Sequence, residues 1–205
     1  MARNPWDVCV SLYRVMSDLS VHQFQSGTFE EFFEPFAEDD LGFGDYFEHV
    51  MSGYALRDEP NVFFLTYEEL KQDTRRTVLR LAHFLGEEYG LALEEDGQML
   101  ANVLEWSKPE NMKKVIVLDL KEGDASEWKG LFTRKKMTSK HGYEGDKTKF
   151  SVVKEARVGS WKKYFTPELL TRFEAKIQAK GEKAFFMELW ADIHDEAIAI
   201  SRMPA

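Results

Sequence analysis

The residues best suited to chemistry lie in one short stretch, Arg3-Asn4-Pro5-Trp6-Asp7-Val8-Cys9-Val10-Ser11. Asn4 is a good N-cap, Pro5 is preorganised for the first helical position and Asp7 puts negative charge in the first turn. A guanidinium just ahead of such a helix adds bidentate phosphate geometry to backbone N–H groups and a dipole that already favour an anion. Spacing alone also fits a surface arginine beside an ordinary cap, with Ser11 tolerated in mid-helix, and both readings stand at this point.

Other constellations offer less. His22, His49, His83, His141 and His194 form neither an H-x-x-x-H pair nor a Cys/His cluster, so no metal site is expected. His83, in a helix with core neighbours, reads as a packing histidine, and Cys9 as a small buried hydrophobe. Residues 123–149 lose all periodicity and collect Arg134, Lys135, Lys136, Lys140, Lys147 and Lys149. They read as a flexible basic loop, either a lid that attracts an anionic nucleotide or acceptor, or a solvated connection.

The elements that must position these residues emerge from pattern. Val8, Leu12, Met16 and Leu19 predict a helix over 5–19, and Thr28-Phe29-Glu30-Glu31 opens an aromatic helix over 29–38 that is interrupted at Pro35. A further helix lies near 45–53; Phe43, Phe47 and Tyr54 could line an apolar acceptor pocket or serve as core. Val62-Phe63-Phe64-Leu65-Thr66-Tyr67 has the aromatic, β-branched look of a buried parallel strand. Asp73 caps the next helix and Gly86 closes it. Helical periodicity from 91 to 117 breaks at Trp106-Ser107-Lys108-Pro109, where Ser107 and Glu110 suggest a capping box. Thr166-Pro167 starts a helix that ends at Gly181, and a last helix spans about 183–200.

Composition sets the class. The 36 acidic against 27 basic side chains give a net charge of −9, which argues against general nucleic-acid binding. With 43% hydrophobic residues the chain can bury a core, and 205 residues fit a single domain over 1–205. The lone Cys9 cannot form an internal disulfide and points to the cytoplasm. Apolar runs fall well short of the ~18 residues a membrane span needs.

Three segments in order then resemble cytosolic sulfotransferases. Arg3 to Ser11 is similar to the segment whose Arg and Ser hold the 3′-phosphate of the donor, 3′-phosphoadenylyl sulfate. Asn61 to Gly86, with Leu65-Thr66-Tyr67-Glu68-Glu69-Leu70-Lys71, resembles the family's strand-Tyr-Glu-Asp-Leu/Met-Lys-helix, in which the Tyr lies against adenine. Val158-Gly159-Ser160-Trp161-Lys162-Lys163-Tyr164-Phe165-Thr166 is similar to the Gly-Asp-Trp-Lys-Asn-x-Phe-Thr signature. The resemblance implies an α/β fold of P-loop-kinase type, a parallel sheet flanked by helices. It implies that Arg3, Ser11, Tyr67, Ser107 and Lys154 contact 3′-phosphoadenylyl sulfate or its product, adenosine 3′,5′-bisphosphate, without a metal.

The departures shape the expectation as much. The family's phosphate loop and catalytic His are not found, so the chain is expected to be the C-terminal portion of the domain, N-terminally truncated, with no catalytic residue of its own. The strand at 61–67 would then expose a sheet edge. The family's Arg-Lys-Gly reads Lys154-Glu155-Ala156, with Arg157 a substitute cation, and Ser107 alone survives of Thr-Ser-Phe. The dimer pattern is degraded to Lys162, Thr166-Pro167 and Thr171. The resemblance therefore implies transfer of a sulfuryl group to a hydroxyl or amine of a small acceptor. It leaves open an incomplete active enzyme, inactive as the isolated 205 residues, or a catalytically inactive nucleotide-binding or interaction paralogue.

Overall fold

The computed structural model describes residues 1–18, 24, 26–42, 44–119, 149–151, 153 and 155–203. The expected basic loop 123–149 and Lys154 lie outside the described residues, apart from the backbone of Lys149. Two compact units share the chain: one takes Met1–Val10, Phe29–Gly97 and Val158 onward, the other Ser11–Thr28 and Gln98–Arg157.

In the first unit, helix α1 (Pro5–Asp18) begins; its later residues belong to the second. Then come α2 (Phe29–Ala37), which carries Pro35 without ending there, and α3 (Tyr46–Ala55), N-capped by Asp45. Residues 62–65 have no regular secondary structure and lead through Thr66 into α4 (Tyr67–Gln72). Thr66 caps α4 in a reciprocal box with Glu69, each side chain satisfying the other residue's amide. Asp73 ends that helix and caps the next, α5 (Thr74–Leu85), whose C-terminal cap is Gly86, before α6 (Glu87–Glu95).

The expected strand at 61–67 is thus corrected. Tyr67 is already helical, and among the described residues the segment keeps a single parallel bridge, Ala2 to Thr66. Ala2 N donates to the Leu65 carbonyl at 2.9 Å and Tyr67 N to the Ala2 carbonyl at 2.7 Å. A β-rich segment becomes a ladder only as far as a neighbour supplies partners, and here Ala2 supplies one step.

The later part of this unit opens with a 3₁₀ turn at Ser160–Lys163 and α9 (Pro167–Lys180), capped by Thr166 through the Leu169 amide. The helix expected over 183–200 is in fact a 3₁₀ segment, Gly181–Trp190, followed by α10 (Ala191–Ser201). With three residues per turn, Met187 and Trp190 share one buried side of that segment.

These helices enclose an aromatic core. Trp6 meets Trp161 and Phe173, each at 6.0 Å between ring centroids, and Phe33 meets Phe165 and Phe173 edge-on at 5.7 and 5.8 Å. Edge-to-face pairs of this kind are worth about 0.5–1.5 kcal/mol beyond the area they bury. Phe47 and Tyr54 belong to this core, so of the expected alternatives the packing role holds for both; Phe43 lies outside the described residues.

The second unit holds α7 from Gln98 on (helix Gly97–Trp106), α8 (Pro109–Val115) and a two-stranded antiparallel sheet, β1 (Val117–Asp119) with β2 (Lys149–Ser151). Val117 pairs with Ser151 and Asp119 with Lys149. Ser107 does not cap α8. Lys108 takes the N-cap position without a side-chain bond, while Ser107 Oγ donates back to the Val103 carbonyl at 2.7 Å. A serine at a helix C-terminus has its own i−4 carbonyl within reach, and that bond competes with capping.

Candidate functional site

The bridge at Ala2 fixes the position of Arg3. That residue comes to rest over Tyr67, its Cζ 4.5 Å from the ring centroid, and one guanidinium nitrogen lies 3.2 Å from Asp7 Oδ2. The Tyr46 hydroxyl donates to the Arg3 carbonyl at 2.5 Å, so the backbone beside the guanidinium is held on a second side. Burial, with Glu68 adding to it, pushes the Tyr46 phenol well above its ordinary range and keeps it a donor. Burial also raises the Tyr67 phenol, against the pull of Arg3.

Beneath Arg3 is a closed polar network. Asn4 caps α1 by accepting from the Asp7 amide at 2.8 Å, and its side-chain amide donates to Asp7 Oδ2 at 3.0 Å and to Glu68 Oε1. Glu68 also accepts from the Asn4 backbone amide at 3.2 Å and from Trp190 Nε1 at 2.8 Å. The Asp7 carboxylate is fully buried and accepts from the Gly159 and Trp161 amides at 2.8 and 3.0 Å. Gly159 has φ +81°, the left-handed conformation that lets its own amide and that of Trp161 address one carboxylate.

The helix N-terminus therefore differs from the sequence expectation. The amides of Asn4 and Asp7 are used within the chain, so an anion there would be recognised by the Arg3 guanidinium rather than by those N–H groups. The sequence reading missed Asp7, Glu68, Tyr46 and Trp190 as the residues that organise Arg3. The i,i+4 spacing of Arg3 and Asp7 was the available signal; the others depend on tertiary contact and left none.

The remaining expected site residues belong to the second unit or lie outside the described residues. Ser11 is exposed on α1, in the second unit. Ser107 is exposed in that same unit, with its hydroxyl bonded to Val103. Lys154 is outside the described residues. Its neighbour Glu155 pairs with Arg14 at 2.8 Å, and Ala156, where the family pattern has Gly, keeps a positive φ of 52°. Cys9 is buried and its thiol is pushed well above the usual range, which suits a packing role. Among the described residues no cluster of three or more His, Cys, Asp or Glu could hold a metal, and no helix is long and apolar enough to cross a membrane.

An arginine and a tyrosine are thus held beside a capped helix, with the Gly159–Trp161 loop locked to the same helix. Comparison with known proteins identifies the family. The family described as the sulfotransferase domain matches residues 1–185, and the chain belongs to that family. It is 31% identical over 178 residues to a 3-alpha-hydroxysteroid sulfotransferase of Cavia porcellus, a match covering 87% of this chain and 53% of that protein. It is 33% identical over 149 residues to Sulfotransferase 2B1 of Rattus norvegicus, covering 65% of this chain and 42% of the relative.

Among solved structures, mouse sulfotransferase SULT7A1 complexed with PAP aligns with a TM-score of 0.64 at 24% identity, over 93% of this chain and 61% of that one. Retinol dehydratase in complex with androsterone and inactive cofactor PAP aligns at 0.57 and 23% identity, over 88% of this chain and 46% of the other. These likenesses establish the sulfotransferase fold. The chain spans about half the length of such curated relatives, 42% of one and 53% of another.

Proposed function

We propose that this chain supplies the part of a sulfotransferase domain that recognises the 3′-phosphoadenosine end of 3′-phosphoadenylyl sulfate, and that the whole domain moves the sulfuryl group to a hydroxyl or amine of a small acceptor. The Arg3–Tyr67 pair carries this reading. A guanidinium held against one face of an aromatic ring is preoriented for bidentate contact with a phosphate, while the ring offers apolar surface to a purine. Arg3, Tyr67, Ser11, Ser107 and Lys154 are the proposed nucleotide contacts, and no metal takes part. In-line positioning and neutralisation of the charge that develops in transfer supply the rate. The parallel sheet belongs to this reading of the whole fold, as do the single domain over 1–205 and a cytoplasmic location.

One observation favours the second reading, an inactive nucleotide-binding or interaction paralogue. Glu155 stands where the family pattern has a cation, and it is already paired with Arg14. A homodimer would have to be built without the family pattern, since Lys162 pairs with Glu196, Thr166 caps α9 and Thr171 bonds to the Pro167 carbonyl.

The test is calorimetric titration of adenosine 3′,5′-bisphosphate into this chain and into its fusion to the N-terminal portion of a relative, beside transfer of labelled sulfate. Arg3→Ala is expected to weaken binding about tenfold to a hundredfold, since hydrogen bonds to charged groups are worth about 1.5–3 kcal/mol. Ser11→Ala should cost less. Equal affinities for wild type and Arg3→Ala would remove the assignment; binding without transfer would select the second reading.

A further inference from the structure

Several cations in the described residues sit against carboxylates: Arg172 on Glu34, Lys162 on Glu196, Lys176 and Lys180 on Asp39. Helix α5 departs from that habit. It has no acidic residue of its own, and Arg75, Arg76 and Arg80 form no salt bridge among the described residues, in a chain of net charge −9.

These three arginines line one cleft of about 580 Å³, with Phe63 and His83 also in its wall. The two carboxylates that reach the cleft are already engaged. Asp73 accepts from the Arg76 amide at 2.9 Å as the cap of α5, and Glu94 faces His83 Nε2 at 3.3 Å. His83 is bonded to Glu87 as well, at 3.1 Å. The Arg80 guanidinium lies 5.4 Å from the Phe63 ring centroid, so an aromatic surface adjoins the charge. Arg75, Arg76 and Arg80 of one helix thus line one volume, no carboxylate among the described residues pairs with them, and a guanidinium is a planar, bidentate donor to oxyanions.

We propose that this cleft binds a small polyanion bearing phosphate or sulfate groups, with any flat apolar part against Phe63. The arginines come from α5 and none belongs to the Arg3 site, so this is a second anion site, independent of the donor reading. Its geometry favours a compact ligand: the volume suits one small molecule, and the acidic character of the rest of the chain opposes a long polyanionic strand.

The experiment is titration of the 205-residue chain with inorganic pyrophosphate, inorganic sulfate, inorganic phosphate and phenyl phosphate at low and at physiological salt, followed by calorimetry. Saturable pyrophosphate binding is expected. The double variant Arg75→Ala/Arg76→Ala and the single variant Arg80→Gln should each weaken it about tenfold or more, because charge-assisted hydrogen bonds are lost. Phenyl phosphate should bind more tightly than inorganic phosphate, and Phe63→Ala should erase that difference. Lys183→Gln, whose ammonium pairs with Glu48 away from the cleft, should leave affinity unchanged. All three arginines are exposed, and circular dichroism checks that each variant is folded. Absence of saturable binding overturns the proposal. So does binding that survives both arginine variants, binding lost with Arg3→Ala alone, or retention of an oligonucleotide without affinity for pyrophosphate.

Discussion

The Arg3 guanidinium lies over the Tyr67 ring because the residue before Arg3 is bridged to the residues on either side of Thr66. Ala2 donates to Leu65 and accepts from Tyr67, and this two-bond step sets guanidinium and ring 4.5 Å apart. The contact requires the aromatic face and makes no use of the hydroxyl. Tyr67→Phe is therefore expected to leave stability and nucleotide affinity nearly unchanged. Tyr67→Leu should lose the cation–π contact, worth roughly 0.5–1 kcal/mol. Chemical denaturation of the three proteins measures the difference.

Asp7 offers the sharpest stability test. Its buried carboxylate satisfies the Gly159 and Trp161 amides, the Asn4 side chain and Arg3 together. Asp7→Ala leaves all of these donors short, and breaking a buried pair from one side costs about 3–5 kcal/mol. Asp7→Asn should also destabilise, because its NH₂ must face a donor. Urea midpoints of both variants decide this, and values near wild type would show that the network contributes little.

Ala156 predicts a gain. An L-residue at φ +52° carries about 1–2 kcal/mol of strain, which glycine relieves while adding conformational freedom to the unfolded chain. Ala156→Gly is expected to stabilise by about 0.5–1 kcal/mol net, visible as a higher Tm. It restores the residue type of the family pattern at that position.

His83 predicts a pH dependence. Its hydrogen bonds to Glu87 and then Glu94 raise the imidazole above its ordinary value, with burial opposing. A group raised on folding binds its proton more tightly in the native state. Its contribution is therefore complete below about pH 6.5 and fades as pH rises through the raised value. His83→Gln should flatten that part of the profile of urea midpoint against pH, measured from about pH 5.5 to about pH 9.

Gly90 is coupled to the same ring: a Cβ built there falls 2.2 Å from His83 Nδ1. Gly90→Ala should destabilise by roughly 1–3 kcal/mol through overpacking. In the His83→Ala background it should cost much less, a non-additivity that a double-mutant cycle reads directly.

Local signals in the sequence were legible wherever the determinants were local. Pro5, Asp73 and Thr166-Pro167 begin helices, and Gly86 and Gly181 end them, because caps act over one turn. The run from Val62 to Tyr67 misled for a related reason. Its aromatic and β-branched residues hid the Thr66-x-x-Glu69 box, whose reciprocal bonds commit Tyr67 to a helix. Arg3 and Tyr67 were identified through resemblance, but the use of Asp7 by residues of the Gly159–Trp161 loop depends on closure over most of the chain. No periodicity announces such a contact.

That closure also dictates a timetable. Asp7 and the amide that satisfies it are 152 residues apart. On a ribosome adding about 5–20 residues per second, α1 waits roughly 8–30 seconds before its partner amide has even been made. Until then the side chain of Trp6, buried in the finished protein, has no Trp161 to pack against, and a buried carboxylate has no donors to justify its burial. The nascent chain must therefore pass through a long interval with aromatic surface uncovered.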